Sequence, residues 1–325
     1  MGCIRDNLKL IFKKFVKIKA GQKFLLITDN YARPKYLGQI VMELAISLGA
    51  NPMWIVMEPR THVGHEPPKV VANAMKEVDV IFEVFEKFSI VHTTATRESI
   101  KAGVRYVFTT TAMGEDYLKR KISSKDYNII ADRTNKLSKM LTHASIAKLT
   151  TLSGTSLTMS LKGRQSLALH PLSNVPTTLL PDYAEATICP EEGTTEGIVV
   201  VDGSVQGWGY LLREPLRFSV KKGRVQKIMG GHTEDIKKFR KLITMDRNSN
   251  NCAAEFGIGT SHTVPKNLTG RLWDYALWGT VHISVGRNND IGGKTLSTIH
   301  NDLLMTQPSL DLDAIRILKN GRFQI

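Results

Sequence analysis

Cysteine is scarce: three residues in 325, Cys3, Cys189 and Cys252, with no C-x-x-C spacing. That excludes a disulfide framework and a cysteine-rich zinc site. No run of about eighteen uninterrupted apolar residues occurs, and the N-terminus lacks the apolar core and small-residue cleavage site of a secretory signal. The expectation is a cytoplasmic protein that does not engage a membrane. Met1-Gly2-Cys3 opens like an acylation signal, but Asp6 stands where myristoylation requires Ser or Thr. A G-x-G-x-x-G turn after the first strand and a G-x-x-x-x-G-K-[ST] loop are both missing, so the sequence carries no nucleotide signature.

What is present is ordinary globular composition, 42% hydrophobic and 23% charged, over a length that supplies more apolar material than one core uses. Two domains are expected. The net charge of +14 is uneven: residues 1–180 carry 26 Lys+Arg against 14 Asp+Glu, and residues 181–325 carry 18 against 16. A basic half can hold nucleic acid. Here, however, the basic residues are scattered over segments such as Lys13-Lys14, Lys17 to Lys23 and Lys119-Arg120-Lys121, with no aromatic platform among them. A solvated basic surface that attracts anionic substrates is the expectation, with no nucleic-acid partner.

Residues 1–150 alternate strands and helices. Lys23–Asp29 reads as a buried strand, residues 34–48 as an amphipathic helix stopped by Gly49, and residues 52–57 as the next strand. Residues 69–78 read as helix, 80–84 as strand, 98–102 as a short helix and 105–109 as strand. This alternation predicts a parallel-sheet α/β domain. From about residue 150 the pattern turns to alternating β sequence at 148–152, 156–161, 197–202, 216–220 and 224–228, interrupted by a helix at Thr233–Leu242. Residues 151–325 are therefore expected to form an α+β domain, one that carries a metal.

The metal expectation begins near the C-terminus. Val281-His282-Ile283-Ser284-Val285-Gly286 reads as a half-buried strand, and in Ile299-His300-Asn301-Asp302-Leu303 the imidazole and carboxylate, two residues apart, leave one face of an extended chain. Two further carboxylates stand alone in apolar or small-residue settings, Glu185 in Ala184-Glu185-Ala186 and Glu255 in Ala254-Glu255-Phe256-Gly257. Burying either is costly without a cation or hydrogen-bond donors. Oxygen plus imidazole ligands suit Zn, Mn, Co or Fe(II). Glu191, Glu192 and Glu196 lie in a Gly-bounded loop, as outer partners of the site or as a solvated turn.

The series G-T-S-L-T-M-S-L-K-G-R at 154–164, L-P-x-x-A-E-A at 180–186, P-E-E-G-T-T-E-G at 190–197, A-E-F-G-I-G at 254–259, G-T-V-H-I-S-V-G at 279–286 and I-H-N-D at 299–302 resembles the thermophilic aminopeptidase (aminopeptidase T) metallopeptidases. The resemblance is ordered over most of residues 150–313. It implies metal-dependent hydrolysis of an N-terminal residue or small amide, a homodimer, and Glu185, Glu255, His282, His300 and Asp302 as metal ligands. In that reading metal-activated water attacks a carbonyl, and a spare carboxylate, Glu192 or Glu255, takes the proton.

Departures open an alternative. Asn289 stands where the peptidases place a tyrosine ligand, Asp274-Tyr275-Ala276 replaces D-E-K, and Ala184 replaces an acidic residue. The chain also resembles the 2,5-dihydroxypyridine dioxygenases of the same superfamily, which implies one Fe(II) held by two histidines and an aspartate. Ser284 would then lie near the substrate, and both His262 and His282 qualify as the second histidine. The substrate is thus a small molecule or a peptide, and the cofactor Zn, Co or Mn, or alternatively Fe(II).

Overall fold

A computed structural model describes residues 2–110, 124–173, 177–179 and 183–325. Leu180-Pro181-Asp182, which opens one of the motifs above, and Lys119-Arg120-Lys121 lie outside the described residues. The chain divides into two compact units, residues 1–128 with 170–183, and residues 129–169 with 184–325.

The first unit is built on a parallel sheet of β1 (Lys23–Asp29), β2 (Asn51–Met57), β3 (Val80–Phe85), β4 (Arg105–Thr110) and β8 (Thr177–Leu179), in the order β2-β1-β3-β4-β8. The connecting helices are α2 (Ala32–Ser47), α3 (Lys69–Ala74) and α4 (Thr94–Lys101). β1 and β3 are apolar nearly throughout because helices cover both faces of such a sheet, which buries their side chains on either side. Gly38 lets α2 lie close on the sheet: a Cβ there would sit 2.7 Å from the Trp54 ring. The N-terminal helix α1 (Gly2–Ile11) runs into a π-turn at Phe12–Val16 that was not expected from the sequence. Its Phe12 packs edge-on to Phe82 and against Phe24, so the segment serves as part of the core.

The second unit contains two antiparallel sheets. The larger has the order β12-β11-β10-β6-β5-β16-β17-β18, built from β5 (Ile146–Thr151), β6 (Ser156–Ser160), β10 (Glu196–Val201), β11 (Leu216–Lys221), β12 (Arg224–Gly230), β16 (Pro308–Leu312), β17 (Ile315–Lys319) and β18 (Arg322–Phe323). The smaller has the order β15-β14-β13-β9-β7, built from β7 (Leu167–Leu169), β9 (Glu185–Ile188), β13 (Cys252–Gly259), β14 (Val281–Gly286) and β15 (His300–Met305). The helices α5 (Ser124–His143), α6 (Thr233–Leu242) and α7 (Trp273–Ala276) complete the described elements. The change to β sequence expected near residue 150 falls at β5, which follows α5 directly.

One apolar core joins the two sheets. Leu149, Leu157, Val199, Val201, Leu216 and Phe218 of the larger sheet meet Ile188, Phe256, Ile258, Val281, Ile283, Val285 and Leu303 of the smaller. Each such side chain contributes about 1.5–3 kcal/mol on burial. The inner face of the smaller sheet is thereby committed to packing. Its other face is free for chemistry.

Candidate metal centre

The register of the smaller sheet decides which side chains share that second face. His282 pairs with Gly257, Ser284 with Asp302, Gly286 with His300, Gly257 with Thr187 and Gly259 with Glu185. Since strand side chains alternate, His300, Asp302, Ser284, His282, Glu255, Thr187 and Glu185 leave on the side opposite Ile283, Phe256 and Ala186. Four strands distant in sequence thus place all five expected ligands together. β14 was expected to be half-buried, yet all six of its residues are buried, because one face meets the core and the other the polar cluster.

These polar side chains are almost fully enclosed, with exposures of 0% for His300, 1% for His282 and 5% each for Glu185, Glu255 and Asp302. They form two overlapping groups, Glu185–Glu255–His282 and Glu255–His300–Asp302, and within each the candidate ligand atoms lie within 4.8 Å of one another. Glu255 belongs to both. His300 Nε2 lies 3.0 Å from Glu255 Oε2 and 3.3 Å from Asp302 Oδ1, and His282 Nε2 lies 3.4 Å from Glu185 Oε2.

Each of three ligands is held by a neighbour. His300 Nδ1–H donates to the Arg287 carbonyl at 2.8 Å, which fixes the tautomer and leaves Nε2 facing the carboxylates. The Ser284 hydroxyl donates to Asp302 Oδ1 at 2.5 Å, and the Thr187 hydroxyl donates to Glu255 Oε1. Bulges on β13 between Cys252 and Phe256, with Ala253 at φ 55°, bring Glu255 into place. Burial opposes charge on His300, but hydrogen bonds and charge from Asp302 and Glu255 outweigh it and hold its pKa well above the usual value. Burial pushes the Asp302 carboxyl up, but His300, His282 and Ser284 draw it far below the ordinary range.

The cluster fits a divalent metal. Both ring nitrogens of the buried His282 lack a hydrogen-bond partner, although Nε2 faces a carboxylate, which is the arrangement of an imidazole whose partner is a cation. Carboxylate oxygens with imidazole nitrogens suit Zn, Mn, Co and Fe(II). A bound ion would replace the ring protons that the carboxylates otherwise require.

The remaining expected residues lie in other settings. Glu192 pairs with Arg164 and accepts hydrogen bonds from Asn288 Nδ2 at 3.0 Å and Lys294 N at 2.6 Å, so it ties the segment after β14 to the 190s loop. Burial raises its pKa, but these donors outweigh burial and hold it below the ordinary range. Glu196 accepts from Lys222 N at 2.7 Å and Glu191 from the Ser160 hydroxyl at 3.0 Å. His262 lies 3.2 Å from the Arg133 guanidinium, and among the described residues it belongs to neither ligand group. Thr187, Gly257 and Tyr275 were not singled out from the sequence as site residues. For Gly257 the sequence shows only a small residue alternating with apolar ones; that it faces a histidine follows from the pairing of β13 with β14.

The family model of 2,5-dihydroxypyridine 5,6-dioxygenase (NicX) matches residues 8–325. The chain belongs to the 2,5-dihydroxypyridine 5,6-dioxygenase family. Among solved structures, 2,5-dihydroxypyridine dioxygenase from Pseudomonas putida KT2440 is similar at TM-score 0.78 and 16% identity, covering 98% of this chain and 96% of that one. Wild-type AmpT from Thermus thermophilus is similar at TM-score 0.69 and 13% identity, covering 100% and 99%. At these identities the likenesses concern the fold, a mixed α/β chain with a parallel sheet and large antiparallel sheets. No curated protein matches the sequence. The family shown is the second of the two that the motifs resembled, and the likeness to AmpT is one of fold.

Proposed function

We propose that this protein is a metal-dependent dioxygenase that opens a hydroxylated N-heterocyclic ring of the dihydroxypyridine kind, with Fe(II) as the metal. The observation that carries this reading is the family match, which runs over residues 8–325 and includes every ligand candidate. The reaction expected first from the sequence, hydrolysis of an amide, thereby becomes the second reading.

Glu255, His300 and Asp302 would hold the ion, since they form one compact group with each member oriented by a hydrogen bond. His282, whose group shares Glu255 and whose ring nitrogens have no hydrogen-bond partner, would join them as the second histidine that the resemblance implied. The bound metal supplies Lewis acidity and open positions at which a chelating ring and O₂ can meet. Ser284, by donating to Asp302, keeps that carboxylate turned toward His300. Glu185, 3.4 Å from His282 Nε2 and beside the ligands through Glu255, is placed to accept the proton released by a ring hydroxyl. Glu192 is already engaged by three donors, and an anion so held is a weak base.

One observation favours hydrolysis: Glu255 is shared by two ligand groups, as a carboxylate that bridges two ions would be. A panel of hydroxypyridines and aminoacyl anilides, assayed with Fe(II), Zn, Co and Mn under air and under argon, separates the two. Oxygen uptake with Fe(II) and a dihydroxypyridine is expected. Amide cleavage with Zn, Co or Mn, indifferent to oxygen, would instead establish the hydrolase.

A further inference from the structure

His300, Asp302 and Glu255 each owe their orientation to a hydrogen bond. His282 has none. It is buried to 1% exposure, and neither Nδ1 nor Nε2 has a hydrogen-bond partner, so its ring plane must be set by shape. Two residues supply that shape. The Tyr275 ring lies edge-on to the imidazole, with centroids 5.5 Å apart and planes at 77°. Gly257 presents no side chain, and a Cβ there would fall 2.2 Å from both Cε1 and Nε2 of His282.

Tyr275 is itself fixed. It is fully buried on α7, and its hydroxyl lies 3.2 Å from the Ser204 hydroxyl and donates at 3.4 Å to the backbone carbonyl of Asp302. One side chain therefore touches the imidazole carried by β14 and the backbone of a ligand carried by β15. Ser204 lies in the loop after β10, and that loop is bound to β15 through Gln206, whose N donates to the Asp302 carbonyl at 2.8 Å and whose carbonyl accepts from Asn301 Nδ2 at 3.1 Å. Rotation of the tyrosine ring is blocked from both ends.

We propose that Tyr275 is a positioning residue for His282: its ring edge, together with the bare Cα of Gly257, sets the imidazole plane that hydrogen bonds set for the other ligands. This rests on the reading of the cluster as a metal centre. The part that matters is the ring, which packs roughly perpendicular to the imidazole, because the hydroxyl is committed to Ser204 and Asp302.

The test is anaerobic titration of metal-free protein with Co(II), followed by visible absorption, for the wild type and the variants Tyr275→Leu, Tyr275→Phe, His282→Ala and Val285→Ala. Tyr275→Leu is expected to change the Co(II) spectrum in the same direction as His282→Ala and to weaken binding on the order of 10- to 100-fold, the range for residues that orient a ligand. Tyr275→Phe should restore the wild-type spectrum. Val285→Ala, a packing change on the other face of the same strand, should lower thermal stability and leave the spectrum alone. Where Tyr275→Leu does not fold, Tyr275→Met, unbranched and more adaptable in a buried gap, takes its place. Wild-type spectrum and affinity in the leucine or methionine variant, with both altered in His282→Ala, would overturn the role of Tyr275 alone. If His282→Ala also matched the wild type, His282 would not be a ligand and the proposal would fall with that reading.

Discussion

A methyl group on Gly257 would place a carbon 2.2 Å from the His282 ring, closer than any real side-chain contact, so one of the two must move. Gly257 is paired on both sides, with His282 on β14 and Thr187 on β9, and the backbone cannot give way easily. The ring moves instead. Gly257→Ala is expected to weaken metal binding on the order of 10- to 100-fold while leaving the far-ultraviolet circular dichroism unchanged; unaltered affinity by calorimetry would show that the ring has room. A second residue-scale effect belongs to the first unit. Glu83 is fully buried, and burial raises its pKa from 4.5 to about 7, outweighing hydrogen bonds from Ser89, Tyr106 and the Ile90 amide, with the Asp29 charge adding to the rise. The folded chain therefore holds this proton more tightly than the unfolded one. Its contribution to stability is complete below about 4.5 and is lost as the pH rises through about 7, on the order of 3–4 kcal/mol in all at about 1.4 kcal/mol per unit. Glu83→Gln should flatten that slope in urea denaturation at several pH values, and an unchanged slope would assign it to another group.

At the scale of the element, β15 depends on a carboxylate outside the sheet. Asp246 Oδ2 accepts from the Ser297 hydroxyl at 2.8 Å, Thr298 N at 2.7 Å and the Thr298 hydroxyl at 2.8 Å, and so fixes the chain just before His300. Burial raises the pKa of this carboxyl, but the donors around it, led by the Thr298 and Asn248 amides, prevail and lower it strongly. The stability it provides is present above the ordinary carboxylate pKa and is lost in acid. Asp246→Ala is expected to cost about 1–3 kcal/mol and to speed hydrogen exchange at the Arg287 and Ile299 amides; equal protection in both proteins would mean that the sheet alone holds the strand. The same scale explains what could be read in advance. Period-two spacing marked His300 and Asp302 as neighbours, because that relation is local. β13 was read as a lone glutamate among small residues, since Gly257 and Gly259 weaken the strand signal and the reason for them lies in partner strands. Register across β9, β13, β14 and β15 is a long-range property, and no local pattern contains it. The π-turn after α1 is not legible in the sequence because its Phe12 finds its partners, Phe24 and Phe82, only in distant strands.

At the scale of the whole molecule, both ligand groups lie within the second unit, on the sheet face that the core leaves free. Among the described residues no helix is long and apolar enough to cross a membrane. The second unit can therefore be tested as a metal binder in the full chain without reference to a substrate. The most direct measurement is equilibrium binding of Fe(II) and of Zn under anaerobic conditions to the wild type, His300→Ala and Asp302→Ala, with near-ultraviolet circular dichroism recorded on the same samples. Saturable binding by the wild type, lost in both variants while the dichroism persists, is the expected result. Equal metal in all three proteins, or none in the wild type, would contradict a metal centre at Glu255, His300 and Asp302.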